Sequence, residues 1–106
     1  MPYIAQEHRS EYDVLIRELA ARLRAQSDNQ RKGHANYVIT QLLRRAWALE
    51  QPEHESYSSH ADVIGTLECA KLELYRRVAA PYEDAKRDET GDVYRSDPFV
   101  TRQRRA

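Results

Sequence analysis

One segment constrains the fold more than any other. From Ser59 to Ala80 the chain runs without proline and with a single glycine, Gly65. Wound at about 100° per residue, Val63, Ile64, Leu67, Ala70, Leu72, Leu74, Tyr75, Val78 and Ala79 cover well over half the helix circumference. A surface helix needs an apolar stripe only about 100° wide. A helix this apolar sits at the centre of its own domain or is shared with a second subunit. The rest of the chain supplies few neighbours. A homo-oligomer is therefore expected, a dimer by preference, because closed two-fold assemblies are the commonest kind.

The flanking segments also read as helices. Tyr12, Leu15, Ile16, Leu19 and Leu23 fall on one face of a helix expected over Glu7–Arg24. On its wetter side, Asp13 with Arg17 and Glu18 with Arg22 are acid-before-base pairs four apart. The polar run Gln26–Gly33 reads as a turn or short loop, with Arg31 and Lys32 at a solvated tip. A second helix is expected from about Ala35 to Leu49, on Ala35, Ile39, Leu42, Leu43 and Ala46, ended by Pro52. The third is expected to start near Ser59, with Ser59 and Asp62 forming a variant capping box. Pro81 kinks or restarts it, and Pro81-Tyr82-Glu83-Asp84 suits a first turn running to about Asp88. Thr90-Gly91-Asp92 reads as a turn. The predicted fold is all-α: a three-helix core, a kinked or short fourth helix after Pro81, and a flexible C-terminal tail.

With 106 residues the expectation is one helical domain over 1–92 and a basic tail over 93–106. Hydrophobic residues at 41% and charged residues at 32% permit a small core and exclude an integral membrane protein. Lys and Arg balance Asp and Glu for a formal net charge of +0, so no global field draws the chain to nucleic acid or anionic lipid. The single cysteine forbids an intramolecular disulfide, and the first eight residues lack a secretory pattern, which together point to the cytoplasm.

Within the apolar arc lie Glu68 and Lys71, three apart and able to meet, with Tyr75 one turn beyond and Arg76 on the flank. The ordinary reading is a lysine stem laid along the core with its head paired to Glu68. The functional reading is a polar pocket in which Glu68, Lys71, Tyr75 and Arg76, with Asn36, Tyr37 and Tyr82 nearby, hold a small anionic ligand. Tyrosine stacks on a base and Lys or Arg meets phosphate. Gly65 and Cys69, one turn apart, make a low surface for a second helix, unless Gly65 merely sits in a frayed first turn. Cys69 otherwise reads as a small buried hydrophobe. His54, His60, Glu53 and Glu55 match no zinc spacing, and no cofactor is implied. No phosphate loop, nucleophile elbow or paired acid/base arrangement is present, so no enzyme is expected. Arg95, Arg102, Arg104 and Arg105, against the one acid Asp97, would bind nucleic acid only weakly and without base selectivity.

Met1-Pro2-Tyr3-Ile4, Asn36-Tyr37-Val38-Ile39-Thr40 and the long run Leu67-Glu68-Cys69-Ala70-Lys71-Leu72-Glu73-Leu74-Tyr75-Arg76-Arg77-Val78, followed by Ala80-Pro81-Tyr82-Glu83-Asp84, resemble a family of small phage, prophage and bacterial proteins. The resemblance covers about Met1 to Tyr94. It departs at Thr90, where the pattern has Asn before Gly91-Asp92. It implies a soluble helical protein in a phage setting and supplies no substrate. Small phage proteins often act against host defence, by binding a host protein or sequestering a nucleotide-derived signal; that analogy rests on context and size. The leading expectation is a non-enzymatic helical homo-oligomer that binds a small anionic, nucleotide-like ligand. The alternatives are a protein-interaction module using the apolar surface of helix three, and a weak nucleic-acid binder working through the arginine tail.

Overall fold

The computed structural model describes residues 3–94. Its elements are α1 (Gln6–Arg24), α2 (Asp28–Ala46), a short 3₁₀ turn (Pro52–His54), α3 (Tyr57–Leu74), a π-helical turn (Tyr75–Ala79) and α4 (Ala80–Thr90). The chain is all-α, with no strand among the described residues. By its internal contacts it parts into two units between Cys69 and Ala70. The basic tail expected over 93–106 lies, apart from Val93 and Tyr94, outside the described residues.

In the first unit, α1 matches its predicted extent, but α2 begins seven residues before the expected Ala35. The polar run is helical from Asp28 onward, and the loop shrinks to Ala25–Ser27. Arg31 explains this. Its guanidinium donates to the carbonyls of Leu23 (3.2 Å), Arg24 (3.2 Å) and Gln26 (2.8 Å), and to Asp28 Oδ1 at 3.0 Å. The last carbonyls of a helix have no partner within it, and a cation there also suits the dipole. Arg31 is thus the clasp of the α1–α2 turn and not a solvated tip. Gly33 is carried inside α2, at a propensity cost of about 1 kcal/mol.

α2 ends at Ala46, three residues short of the predicted Leu49, and Pro52 does not end it. Leu49 N–H donates to Arg44 O (2.8 Å) and Ala48 N–H to Arg45 O (3.1 Å), the paired bonds of a Schellman ending. The left-handed position this requires is filled by Ala48, at φ 52°. Pro52 instead opens the following 3₁₀ turn. The start of α3 is corrected too. Ser56 Oγ accepts from Ser59 N–H (3.1 Å) while Ser59 Oγ accepts from Ser56 N–H (2.9 Å). The reciprocal capping box therefore joins Ser56 to Ser59, and Ser59 with Asp62 form none.

Val63 alone is buried among the described residues, at 8% exposure. On α1, Tyr12, Leu15 and Ile16 stand more than half exposed, whereas Leu23 at the turn is half-buried. Along helix three, Ile64 in the first unit and Leu72, Leu74, Tyr75 and Val78 in the second are exposed. Among the described residues no ion pair joins Asp13 to Arg17 or Glu18 to Arg22, so the four-apart pairing expected along α1 is not made.

In the second unit the helix does not break at Pro81. Ala80 N–H donates to Tyr75 O, five residues back, which marks the π turn. Proline lacks an N–H and its ring crowds the carbonyl four residues before it. Widening the turn that precedes Pro81 is one way a helix relieves that conflict. α4 then runs to Thr90, two residues past the expected end, and closes at Gly91 (φ 93°), whose N–H donates to Arg87 O at 2.8 Å.

Candidate functional site

The predicted site residues divide between the two units. In the first, Asn36 Oδ1 accepts from Thr40 Oγ1 at 3.2 Å, a local bond along α2. Tyr37 is exposed and lines an open groove of about 490 Å³ with Leu19, Leu23, Gly33, His34 and Val38. That groove is apolar, rimmed by Arg22 and Gln26, and lies at the α1–α2 turn. Glu68 is exposed on α3.

In the second unit, Lys71 is exposed on α3. Arg76 Nη2 meets Glu73 Oε1 at 2.6 Å, with the arginine outside and the glutamate nearly covered. Tyr75 Oη donates to Glu83 Oε1 at 2.5 Å. That hydrogen bond, together with the Glu83 charge and a smaller desolvation effect, raises the Tyr75 phenol above its ordinary value. Lys86 Nζ sits 5.8 Å from the centre of the Tyr82 ring, within reach of its π face.

Tyr75 and Tyr82 share the lining of a groove of about 480 Å³, with Glu83, Asp84, Lys86, Arg87 and the 90–94 segment. Lys71 and Arg76 are not in that lining. The structure therefore brings two of the predicted tyrosines together and leaves the two predicted cations elsewhere. The groove's own cations are engaged with acids: Arg87 with Asp84 and Asp88, each at 3.8 Å, and Lys86 with Glu89 at 3.5 Å. Glu83, Asp84 and Asp92 outnumber Lys86 and Arg87, which opposes an anionic guest.

Sequence reasoning placed Glu83 in a first helical turn and missed it as the partner of Tyr75. The spacing of eight residues carries no signal on an ordinary helix; it becomes a contact only across the π turn. Cys69 is exposed on α3, not the buried hydrophobe expected. His60 Nε2 lies 2.9 Å from Glu55 Oε2, and His8 Nδ1 3.7 Å from Glu11. Among the described residues no group of three His, Cys, Asp or Glu could hold a metal ion. No helix among them is long and apolar enough to cross a membrane.

The described residues define an all-helical protein in which Val63 alone is buried. The chain belongs to the family described as Domain of unknown function (DUF6899), whose model matches residues 1–93. No curated protein and no solved structure matches it.

Proposed function

We propose that this chain is a non-enzymatic helical assembly module that works as a homo-oligomer, a dimer by preference, its apolar helix faces covered by a second copy. The observation that carries this reading is the burial pattern. Val63 is the one enclosed side chain among the described residues, while Tyr12, Leu15, Ile16, Tyr37, Leu42 and Ile64 stand more than half exposed. Ordering a residue costs roughly 1–2 kcal/mol of backbone entropy. Burying one valine contributes roughly 2 kcal/mol. The apolar area that these side chains still expose is a further stabilising term, and assembly covers it. On α1, Tyr12, Leu15 and Ile16 share one helix face, and an exposed apolar patch marks an interaction site in soluble proteins.

The test is native mass spectrometry of the purified full chain, followed across a dilution series by sedimentation velocity. A species of twice the chain mass is the expected result. A monomer at micromolar concentration, with full helical content, overturns the reading.

A second reading keeps a small nucleotide-like ligand, and with it the phage setting in which such a signal is sequestered. It is favoured by Tyr75 and Tyr82 lining one groove beside Lys86 and Arg87. The acids in the same lining are the reason it ranks second. Extra mass that leaves the native species on denaturation would reverse the order.

A further inference from the structure

We propose that α1 is the element that joins the two copies, packed side by side and parallel with α1 of a second copy. This rests on the assembly reading above and names its surface and orientation. The apolar stripe of α1 is Tyr12, Leu15, Ile16 and Leu19, 39–60% exposed; only toward the turn, at Leu19 and Leu23, does it face Gly33, Tyr37 and Val38 of α2 across an open groove.

The charges beside this stripe are sorted by sign. At about 100° per residue, one flank carries Arg9, Arg17 and Arg24 with the single acid Asp13. The opposite flank carries Glu7, Glu11 and Glu18 with the single base Arg22. The four-apart partners that could neutralise these side chains along the helix are not paired. His8 lies near Glu11, and Arg9 donates its Nε–H to Ile4 O at 3.0 Å, which leaves the rest of its fork available.

Sorted flanks fix the orientation of a two-fold pair. When identical helices run parallel, the left flank of one faces the right flank of the other, so acid meets base on both sides of the seam. When they run antiparallel, each flank faces its own copy, and like charges meet. Flanking charges set partner choice and orientation in paired helices in this way. The occupant of the α1 face is therefore a second α1 in parallel register, with its basic flank on the first copy's acidic flank.

The test uses the full chain with Cys69→Ser and a single new cysteine, Tyr12→Cys or Ile16→Cys, under mild oxidation. A parallel pair brings identical seam positions opposite each other, within the Cα spacing a disulfide accepts. Both variants are expected to cross-link to dimers. An antiparallel pair allows this at one position at most. In the wild-type seam, Arg9→Glu with Arg17→Glu should weaken dimerisation about tenfold by placing like charges across it. Adding Glu11→Arg and Glu18→Arg to the same chain should restore it, because the flanks are again complementary. Circular dichroism confirms that each variant keeps its helices; if a cysteine variant loses them, the charge-exchange pair decides. A native dimer with one cross-link or none, or without rescue, overturns the α1 pairing and leaves the assembly reading standing. A monomeric parent chain overturns both.

Discussion

Tyr75 and Glu83, eight residues apart, are joined by a 2.5 Å hydrogen bond across the π turn and Pro81. The bond ties α4 back onto the helix before it. The tyrosine must be protonated to donate, and its pKa is raised by that bond and by the Glu83 charge. The raised value means the contribution is fully present below the ordinary tyrosine range near pH 10 and is lost as pH rises through the shifted value. Among the seven tyrosines, one should ionise later than the others in a phenolate absorbance titration. Tyr75→Phe should remove that late step, and Glu83→Gln should move it back toward the rest. A late step that persists in Tyr75→Phe, with the lost amplitude taken from the ordinary range, would show that the bond does not hold the phenol.

Arg31→Ala should destabilise the α1–α2 hairpin by about 1–2 kcal/mol. The figure is the usual loss for hydrogen bonds from a charged group, reduced because the side chain is partly exposed. Arg31→Lys should recover little of it, since a single ammonium cannot reach three diverging carbonyls as a planar fork does. Urea unfolding followed by far-UV circular dichroism reads the difference. Equal stability of the lysine and arginine forms would show that charge near the α1 terminus matters and the fork does not.

The sequence made the helices legible because their apolar positions repeat with the helical period. Leu15, Ile16, Leu19 and Leu23 fixed α1, and Ile39, Leu42 and Leu43 fixed α2. The ends were harder, because they depend on single side-chain bonds that periodicity does not carry. Arg31 turned a polar run into a first turn, and Ala48 ended α2 before Leu49 in a position where glycine is the usual signal. Ser56 displaced Ser59 as the cap because either serine fits the pattern by composition alone. Of the candidate site, Tyr75 and Tyr82 line one groove, but Glu68, Lys71 and Arg76, which share the apolar arc of helix three with Tyr75, are not in its lining. The acidic lining supplied by Glu83, Asp84 and Asp92 was not legible, since it depends on the π turn and on where the chain goes after Gly91.

Ala48→Gly should stabilise the protein by roughly 1 kcal/mol. Ala48 occupies the left-handed region at φ 52° to complete the ending of α2. For a residue with a Cβ that conformation costs about 1–2 kcal/mol, and glycine adopts it freely. Part of the gain is returned as added entropy of the unfolded chain. Chemical denaturation of the two forms, compared at one protein concentration, gives the sign directly. A loss of stability would mean that the alanine methyl makes a contact worth more than the strain.

Gly65→Ala separates two ways in which copies of this chain could meet. Gly65 is well inside α3 and not in a frayed first turn, so it carries the full helix-interior cost of about 1 kcal/mol relative to alanine. A Cβ at this position would meet nothing within 4 Å in the chain itself. If the copies are joined through α1, the added methyl points into open space and the substitution only strengthens α3. The melting temperature should then rise by roughly 4 °C, the shift expected for about 1 kcal/mol in a domain of this size, with dimer affinity unchanged. If instead a second α3 approaches closely over Gly65 and Cys69, the same methyl stands between the helices. Dimer affinity and melting temperature would then fall together. Thermal unfolding at two protein concentrations distinguishes the cases, and a joint fall would move the interface from α1 to α3.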